Sequence, residues 1–333
     1  MKYSLVLASG LLALCSAAFA AAPAYKVLTK IKIGGAGRWD YVYVDSANHK
    51  LYVSHGTQTE VIDTTTDKLI ATIPDTKGVH GIAVANDLGK GFTSNGTTNN
   101  VTVFDLKTSK ATGTFNTGQN PDAIIYEPST HRVLTLNGKS NDATIYDVKT
   151  GQVVAASVPV GGKPEFAQVD GKGNVYVNIE NTNEVIVINA ANATVAKRYS
   201  IAPCDGPSGL AIDTKKGLLF SVCNKVMAVS NPATGKVVAS VTIGQNPDGV
   251  AFDDGYAFSA NGKDGNISMV SETAPGKWDV VATIPTQAGA RTIGADQKAH
   301  KLYLPAAEMG PAPAGGGRAQ AVPDSFSIIV VGR

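Results

Sequence analysis

Charge is scarce in this chain. Asp, Glu, Lys and Arg make up 17% of its 333 residues, and the formal net charge is only +2. Duplex-binding proteins usually carry a strong basic excess on one face, so the balance gives no reason to expect a nucleic-acid partner. Aromatic residues are few, at 7%, with two tryptophans. There are only three cysteines, so a dense disulfide framework is excluded, and no CxxCH haem-attachment site occurs. No GxGxxG joins a strand to a helix and no GxSxG elbow is present, which removes the signatures of dinucleotide binding and of the α/β-hydrolases. Past the first twenty residues no apolar run is long enough to cross a bilayer as a helix.

Those first residues, 1–20, read as a signal peptide. Lys2 supplies the positive start, an apolar stretch runs from Leu5 to Phe19, and Ala18-Phe19-Ala20 gives the small-x-small cleavage pattern. Leu14 is too large for Cys15 to serve as a lipidation site. The expected mature chain begins at Ala21, has a formal charge of +1 once Lys2 is lost, and is periplasmic or secreted. Cys204 and Cys223 then remain. An even number in an oxidising compartment suggests one disulfide, worth about 3 kcal/mol in the chain-entropy account; the alternative is two partly buried thiols.

What the chain has is Gly (35 residues), a 43% apolar share and many Thr, Val and Asn, the composition of an all-β protein with many turns and a core of useful size. It also repeats. Asn120-Pro-Asp-Ala-Ile-Ile, Lys163-Pro-Glu-Phe-Ala, Gly206-Pro-Ser-Gly-Leu-Ala and Asn246-Pro-Asp-Gly-Val-Ala are versions of one segment. Aligned on the residue after Pro, the unit recurs at Asp40, His80, Asp122, Glu165, Ser208, Asp248 and Arg291, at spacings of 40, 42, 43, 43, 40 and 43 residues. Each unit reads as four short strands. Examples are Leu210-Ala-Ile-Asp213 for the first, Leu51-Tyr-Val-Ser54 for the second, Val101-Thr-Val-Phe-Asp105 for the third and Lys236-Val-Val-Ala-Ser240 for the fourth, with Asn-Gly and Thr-rich turns between.

Four antiparallel strands at a period near 42 residues make one propeller blade. The expected fold is an all-β, seven-bladed β-propeller over 24–333, with blades starting near 38, 79, 121, 164, 207, 247 and 290. The seventh unit lacks a fourth strand. The segment 25–33, Tyr-Lys-Val-Leu-Thr-Lys-Ile-Lys-Ile, is placed to supply it and so close the ring.

Lys50-Leu-Tyr-Val-Ser-His55, Thr59-Glu-Val-Ile-Asp-Thr-Thr-Thr-Asp-Lys68 and Val241-Thr-Ile-Gly-Gln-Asn-Pro-Asp-Gly-Val-Ala-Phe252 resemble the YVTN family of propeller repeats. Over all seven units the chain is similar to YncE-like periplasmic proteins. The resemblance implies the fold and leaves activity open, because such scaffolds host varied roles. No repeated Trp-Asp ending or Gly-Gly doublet marks a WD or kelch repeat, and two tryptophans are too few for a quinoprotein dehydrogenase.

In a propeller the loops entering the inner strands and those joining second to third strands share one face, here called the top. The aligned ring falls there, around the channel mouth. Its four carboxylates, Asp40, Asp122, Glu165 and Asp248, suit a cation, an amine or a metal-bound ligand; the alternative is acids that cap turns. Simple pairing of the first two strands of blade one sets Asp40 opposite His55, and His80 holds the equivalent place in the next blade. Asp40, His55 and His80 are therefore the candidate divalent-metal ligands or acid–base group. Virginiamycin B lyase-like propellers offer an analogy, with His and Glu around a metal. Arg38 and Trp39 lie beside the mouth, where they suit an anionic or aromatic group; otherwise Trp39 packs between blades. Arg291 completes the ligand candidates. His49, His131 and His300 fall in turns on the opposite face. Between the second and third strands of blade seven, a Gly/Pro-rich insertion spans 308–324, read either as a lid or as a tolerated extension.

Two functions follow. The first is an exported binding scaffold holding a small molecule or an envelope protein on its top face. The second is a metal-assisted lyase or lactonase using Asp40, His55, His80 and a rim acid such as Glu165.

Overall fold

The structure, a computed structural model, describes residues 22–35, 38–311 and 319–333. The segment read as a signal peptide, residues 1–20, lies outside them, as does the middle of the insertion. No helix among the described residues is long and apolar enough to cross a membrane.

Seven four-stranded antiparallel sheets form the ring. Blade one is typical: Val42–Asp45 lies innermost, followed outward by Lys50–His55, Gln58–Asp63 and Lys68–Ile73. In blade seven the order is Gly294–Asp296, Lys301–Ala306, Ser327–Gly332 and then Lys26–Lys32 from the other end of the chain. That last pairing is antiparallel, with Val27 opposite Val331 and Ile31 opposite Ile328. The first-formed and last-formed parts of the chain thus complete one sheet, and the ring is closed as expected.

Burial explains why one blade is not a stable unit. Middle strands are covered on both faces: Leu51, Tyr52 and Val53 have no exposed surface, and neither do Leu302, Tyr303 and Leu304. Outer strands such as Lys68–Ile73 are mostly exposed. The apolar core is correspondingly divided. Each of seven clusters sits between two neighbouring sheets, for example Tyr52, Val61 and Ile73 of blade one against Ile82, Val84 and Phe104 of blade two. The seam between blades seven and one holds Ile31, Trp39, Leu51, Tyr303 and Phe326.

Turn chemistry fixes the outer and lower corners. His49, His131 and His300 occupy left-handed backbone (φ 52°, 53° and 52°) in the bottom turns between first and second strands, where Asp and Asn are also at home. Acids there are structural: Asp213 accepts the amides of Lys215 and Lys216, and Asp296 those of Lys298 and Ala299. The third-to-fourth-strand turns use Asp63 and Asp147 in the same way.

Cys204 and Cys223 form a disulfide, with Cα atoms 5.5 Å apart across 19 residues. It ties the loop entering blade five to the end of that blade's second strand. A Cys204→Ser, Cys223→Ser variant is expected to lose about 3 kcal/mol, read as a Tm several degrees lower in calorimetry; an unchanged Tm would mean the bridge adds nothing. Placing a charge at the ring closure, Ile31→Asp, is expected to cost at least as much, because Ile31 is buried in the seam between blades seven and one. Retention of wild-type Tm in that variant would show that the N-terminal strand is dispensable.

Candidate functional site

A bulge builds the channel mouth. In blade three Pro121 pairs with Asn137 and Ile124 with Thr135, so three steps on the inner strand match two on its neighbour. Blades two and four break register at the same point, between Val79 and Ile82 and between Pro164 and Ala167. An extra residue in one strand leaves the ladder and re-aims its side chain. The freed carbonyl of the ring residue is taken up by the preceding blade: Tyr41 N–H donates to His80 O (3.2 Å), Ser94 Oγ to Asp122 O (2.5 Å) and Thr292 Oγ1 to Asp40 O (2.6 Å).

The bulge corrects the simple register expected for blade one. Gly56 N–H donates to Arg38 O (2.7 Å), just as Gly96 donates to Gly78 and Gly138 to Asn120. Trp39 therefore takes the place across from His55, and Asp40 does not face it. His55 lies 5% exposed, with Nδ1 3.0 Å from Glu60 Oε1 and its ring stacked on Phe326 at 4.3 Å. Gln58 and Thr72 also donate to Glu60. Burial works against the ionised Glu60, but these three hydrogen bonds outweigh it and hold the carboxyl below its ordinary range. In blades two, three and six the same pair of positions is Asn95–Thr102, Asn137–Thr144 and Asn261–Ser268, each hydrogen-bonded across the hairpin. His55–Glu60 is a variant of that architectural pair, set away from the mouth. Trp39 also turns from the mouth, into the core between blades seven and one, 8% exposed and 5.5 Å from the Phe326 ring. Arg38 is exposed.

The other candidates do converge. His80 Nδ1 is 2.7 Å from Asp40 Oδ2 and 3.7 Å from Asp122 Oδ1. Arg291 Nε is 2.6 Å from Asp248 Oδ2, and its Nη2 reaches 3.6 Å from Asp40 Oδ1 while donating to Trp39 O (3.2 Å). Lys163 Nζ lies 2.6 Å from Glu165 Oε1 and also pairs with Glu180. Ser208, the ring's neutral member, donates to Pro247 O.

Lys163 and Glu180 were not among the sequence candidates. Lys163 stands in the motif quoted for the repeat, where blades three and six have Asn120 and Asn246, and that departure is the signal that marks it. Tyr41 and Phe166 were also missed. Each directly follows a ring residue, where the other blades carry Gly81, Ala123, Gly209, Gly249 and Thr292.

Electrostatically the mouth is crowded with acids. Among the described residues Asp40, Asp122, Glu165, Glu180 and Asp248 pair with Lys163, Arg291 and His80. Burial, reinforced by the neighbouring Asp40 charge, pushes Asp122 up to about 7. Burial and then Asp122 push Glu165 up to about 8. Asp248 is raised for the same reasons, burial first and Asp40 second. For His80 burial opposes the charged form, but the Asp40 hydrogen bond and the Asp122 charge prevail and raise its pKa. Asp122 Oδ1 is buried without a hydrogen-bond partner. Among the described residues none of the four ring carboxylates accepts a backbone amide, unlike the acids of the bottom and outer turns. The turn-capping alternative therefore does not describe them. Asp40, His80 and Asp122 each offer a ligand atom, all within 4.8 Å of one another.

Below the rim lies a cavity of about 590 Å³ on the side of blades one to four. At the edge of the mouth, the described ends of the insertion form a short hairpin stem: Met309 bridges Ala321, and Gly310 N–H donates to Gln320 O (2.8 Å).

No family model matches the chain, and no curated protein matches it either. Solved structures do. The chain is similar to the RRP9 WD40 repeats at a TM-score of 0.74 and 10% identity, over 91% of this chain and 97% of that one. It is similar to U3-55K at 0.74 and 10%, over 90% and 97%. A third match is the Kuenenia stuttgartiensis hydrazine synthase, at 0.70 and 15%, over 83% and 94%. The likeness is one of fold. It covers nearly the whole propeller, although no repeated Trp-Asp ending occurs in this sequence.

The raised carboxyls have a consequence for stability. Asp122 and Glu165 bind protons more tightly folded (about 7 and about 8) than unfolded, where carboxyls titrate near ~4. Between those limits the folded state holds more protons, so stability is greatest at low pH and falls as pH rises. The Tm is expected to drop by several degrees between roughly pH 5 and 8.5 in the absence of added cations. Asp122→Asn with Glu165→Gln should flatten that slope; the same slope in the double variant would refute the assignment.

Proposed function

We propose that this chain is an exported binding scaffold of the cell envelope, whose top-face mouth holds a positively charged group of a small ligand or partner. The observation that carries this is the acid-rich ring: four carboxylates that cap no turn, two of them driven toward protonation by burial and by neighbouring carboxylates. A bound cation relieves both costs at once. Export is supported by the signal-like residues 1–20, and the envelope setting by the resemblance of the repeat to YncE-like periplasmic proteins.

One observation favours the second reading, a metal-assisted lyase or lactonase. Asp40, His80 and Asp122 are clustered closely enough to hold a divalent ion, with Asp122 in the place first expected for His55. An ion there would polarise a carbonyl or lower the pKa of a bound water. Glu165, a rim acid whose carboxyl feels the Asp122 charge, would be available for proton transfer.

Calorimetric titration with methylammonium and with Ca²⁺, Mg²⁺, Mn²⁺ and Zn²⁺ tests the proposal. Affinity is expected to rise between pH 6 and 8, since the cation displaces protons from Asp122 and Glu165, and to fall at least tenfold in Asp122→Asn. Failure of every cation to bind would sink the scaffold reading in this form. One tightly held divalent equivalent by elemental analysis, lost in His80→Ala with Asp122→Asn, would move the assignment to the enzyme.

A further inference from the structure

The ring directly under the mouth is lopsided. On the side of blades five to seven the inner strands close on each other: a Cβ on Gly209 would lie 2.8 Å from Gly249 Cα, and one on Gly249 would lie 2.9 Å from Thr292 Cα. The inner strands are in close backbone contact there. On the side of blades one to four the equivalent positions run large, small, small and large: Tyr41, Gly81, Ala123 and Phe166. The two large rings meet edge to face at 5.0 Å. The cavity of about 590 Å³ lies on this side, and its wall includes Tyr41, Tyr43, Ile125, Tyr126 and Phe166. That volume is within the range of small-molecule sites, roughly 300–1,000 Å³.

The cavity wall starts one residue below the acidic ring: Tyr41, Gly81, Ala123 and Phe166 line it and directly follow Asp40, His80, Asp122 and Glu165 in the chain. Tyr41 marks the junction. Its ring lines the cavity, and burial and then the charges of Asp122, Glu165, Asp40 and Asp248 drive its phenol well above its ordinary pKa. At the far end the polar groups already have partners: Tyr126 O–H donates to Asp87 (2.9 Å) and lies 3.0 Å from His131 Nδ1.

Each simple ligand class uses only half of this arrangement. A bare metal ion satisfies the mouth and leaves the apolar walls unused. A neutral apolar molecule fills the cavity and leaves the carboxylates unrelieved. An anion is repelled. We infer that the site takes an organic ammonium ion with an aromatic or aliphatic body, its charged nitrogen among Asp40, Asp122 and Asp248 and its body in the cavity against Tyr41 and Phe166. Aromatic faces beside an ammonium add cation–π attraction. This inference rests on the reading of the mouth as a cation site and goes beyond it by naming the ligand class.

Calorimetric titrations at pH 8 with methylammonium, n-butylamine, n-hexylamine, phenethylamine and the neutral 2-phenylethanol test it on the wild-type chain. From butylamine to hexylamine, affinity is expected to rise roughly three- to fourfold per methylene, the yield of a buried CH₂. Phenethylamine should bind at least tenfold more tightly than both methylammonium and 2-phenylethanol. Ile125→Trp, which fills the cavity, should lower the ratio of phenethylamine to methylammonium affinity at least tenfold. If methylammonium binds and the longer amines bind no tighter, the cavity inference fails and the mouth reading stands. If no amine and no methylammonium binds, the mouth reading fails and takes this inference with it.

Discussion

Every sheet in this protein depends on having a neighbour on both faces. A four-stranded blade is apolar on both sides of its two middle strands, so it cannot be stable alone. Six of the seven seams follow from chain order. The seventh, between the last blade and the first, exists only because Lys26–Lys32 crosses to pair with Ser327–Gly332. Without it two seams would lose cover, and a sheet edge that neighbouring chains can pair with would be exposed. The seam it supports is also among the most aromatic, with Trp39, Tyr303 and Phe326, and it lies directly beside the mouth. Closure and site are therefore mechanically linked. Arg291, on the last blade, reaches both Asp248 of the preceding blade and Asp40 of the first.

The bulge at the head of the inner strands does the second essential thing. A regular antiparallel ladder would aim the ring residue across its own blade. One extra residue turns it toward the channel and hands its carbonyl to the preceding blade. Seven side chains from seven sheets can then meet around one axis, which brings together charges that no local sequence spacing would combine. The contrast with the lower turns is physical. There, acids sit beside free turn amides and settle into ordinary caps. At the mouth the nearby backbone amides are already committed to Ser54, Ser94 and carbonyls of neighbouring strands, so among the described residues the ring carboxylates are left to side-chain partners, His80, Arg291 and Lys163.

Much of this was legible in the residues. Seven units at a period near 42 residues fixed the number of blades, and the motif around Pro121, Pro164 and Pro247 located the ring without any structure, because Pro and the following turn chemistry recur. The spare strand at residues 25–33 was evident from a deficit at the other end. Cys204 and Cys223 were visible as a pair from their number and setting. What sequence could not carry was register. A bulge is one residue of backbone geometry, and its sequence trace here is only that the ring member and its successor both leave the apolar alternation. Reading the strand without it turned Asp40 toward His55, while for Trp39 the structure shows the alternative already open in the sequence, packing between blades. The structure brings Asp122 to Asp40 and His80 in place of His55, and sends Trp39 to the core.

The repeat itself offers a rule that separates architecture from chemistry in this fold. Where a position keeps its residue type from blade to blade, as with Asn95, Asn137 and Asn261 or Asp63, Asp105 and Asp147, its hydrogen bonds are local and fully explained by the hairpin it serves. Where one blade departs, two outcomes occur. His55–Glu60 replaces Asn–Thr but keeps the cross-hairpin bond, so the change is absorbed within the blade. Arg291, Tyr41 and Phe166 depart in a different way: their partners lie in other blades. A departure whose partners lie outside its own blade cannot be explained by that blade's stability. Such residues cluster here at the mouth and the cavity beneath it, and that is the physical ground for placing function on the top face.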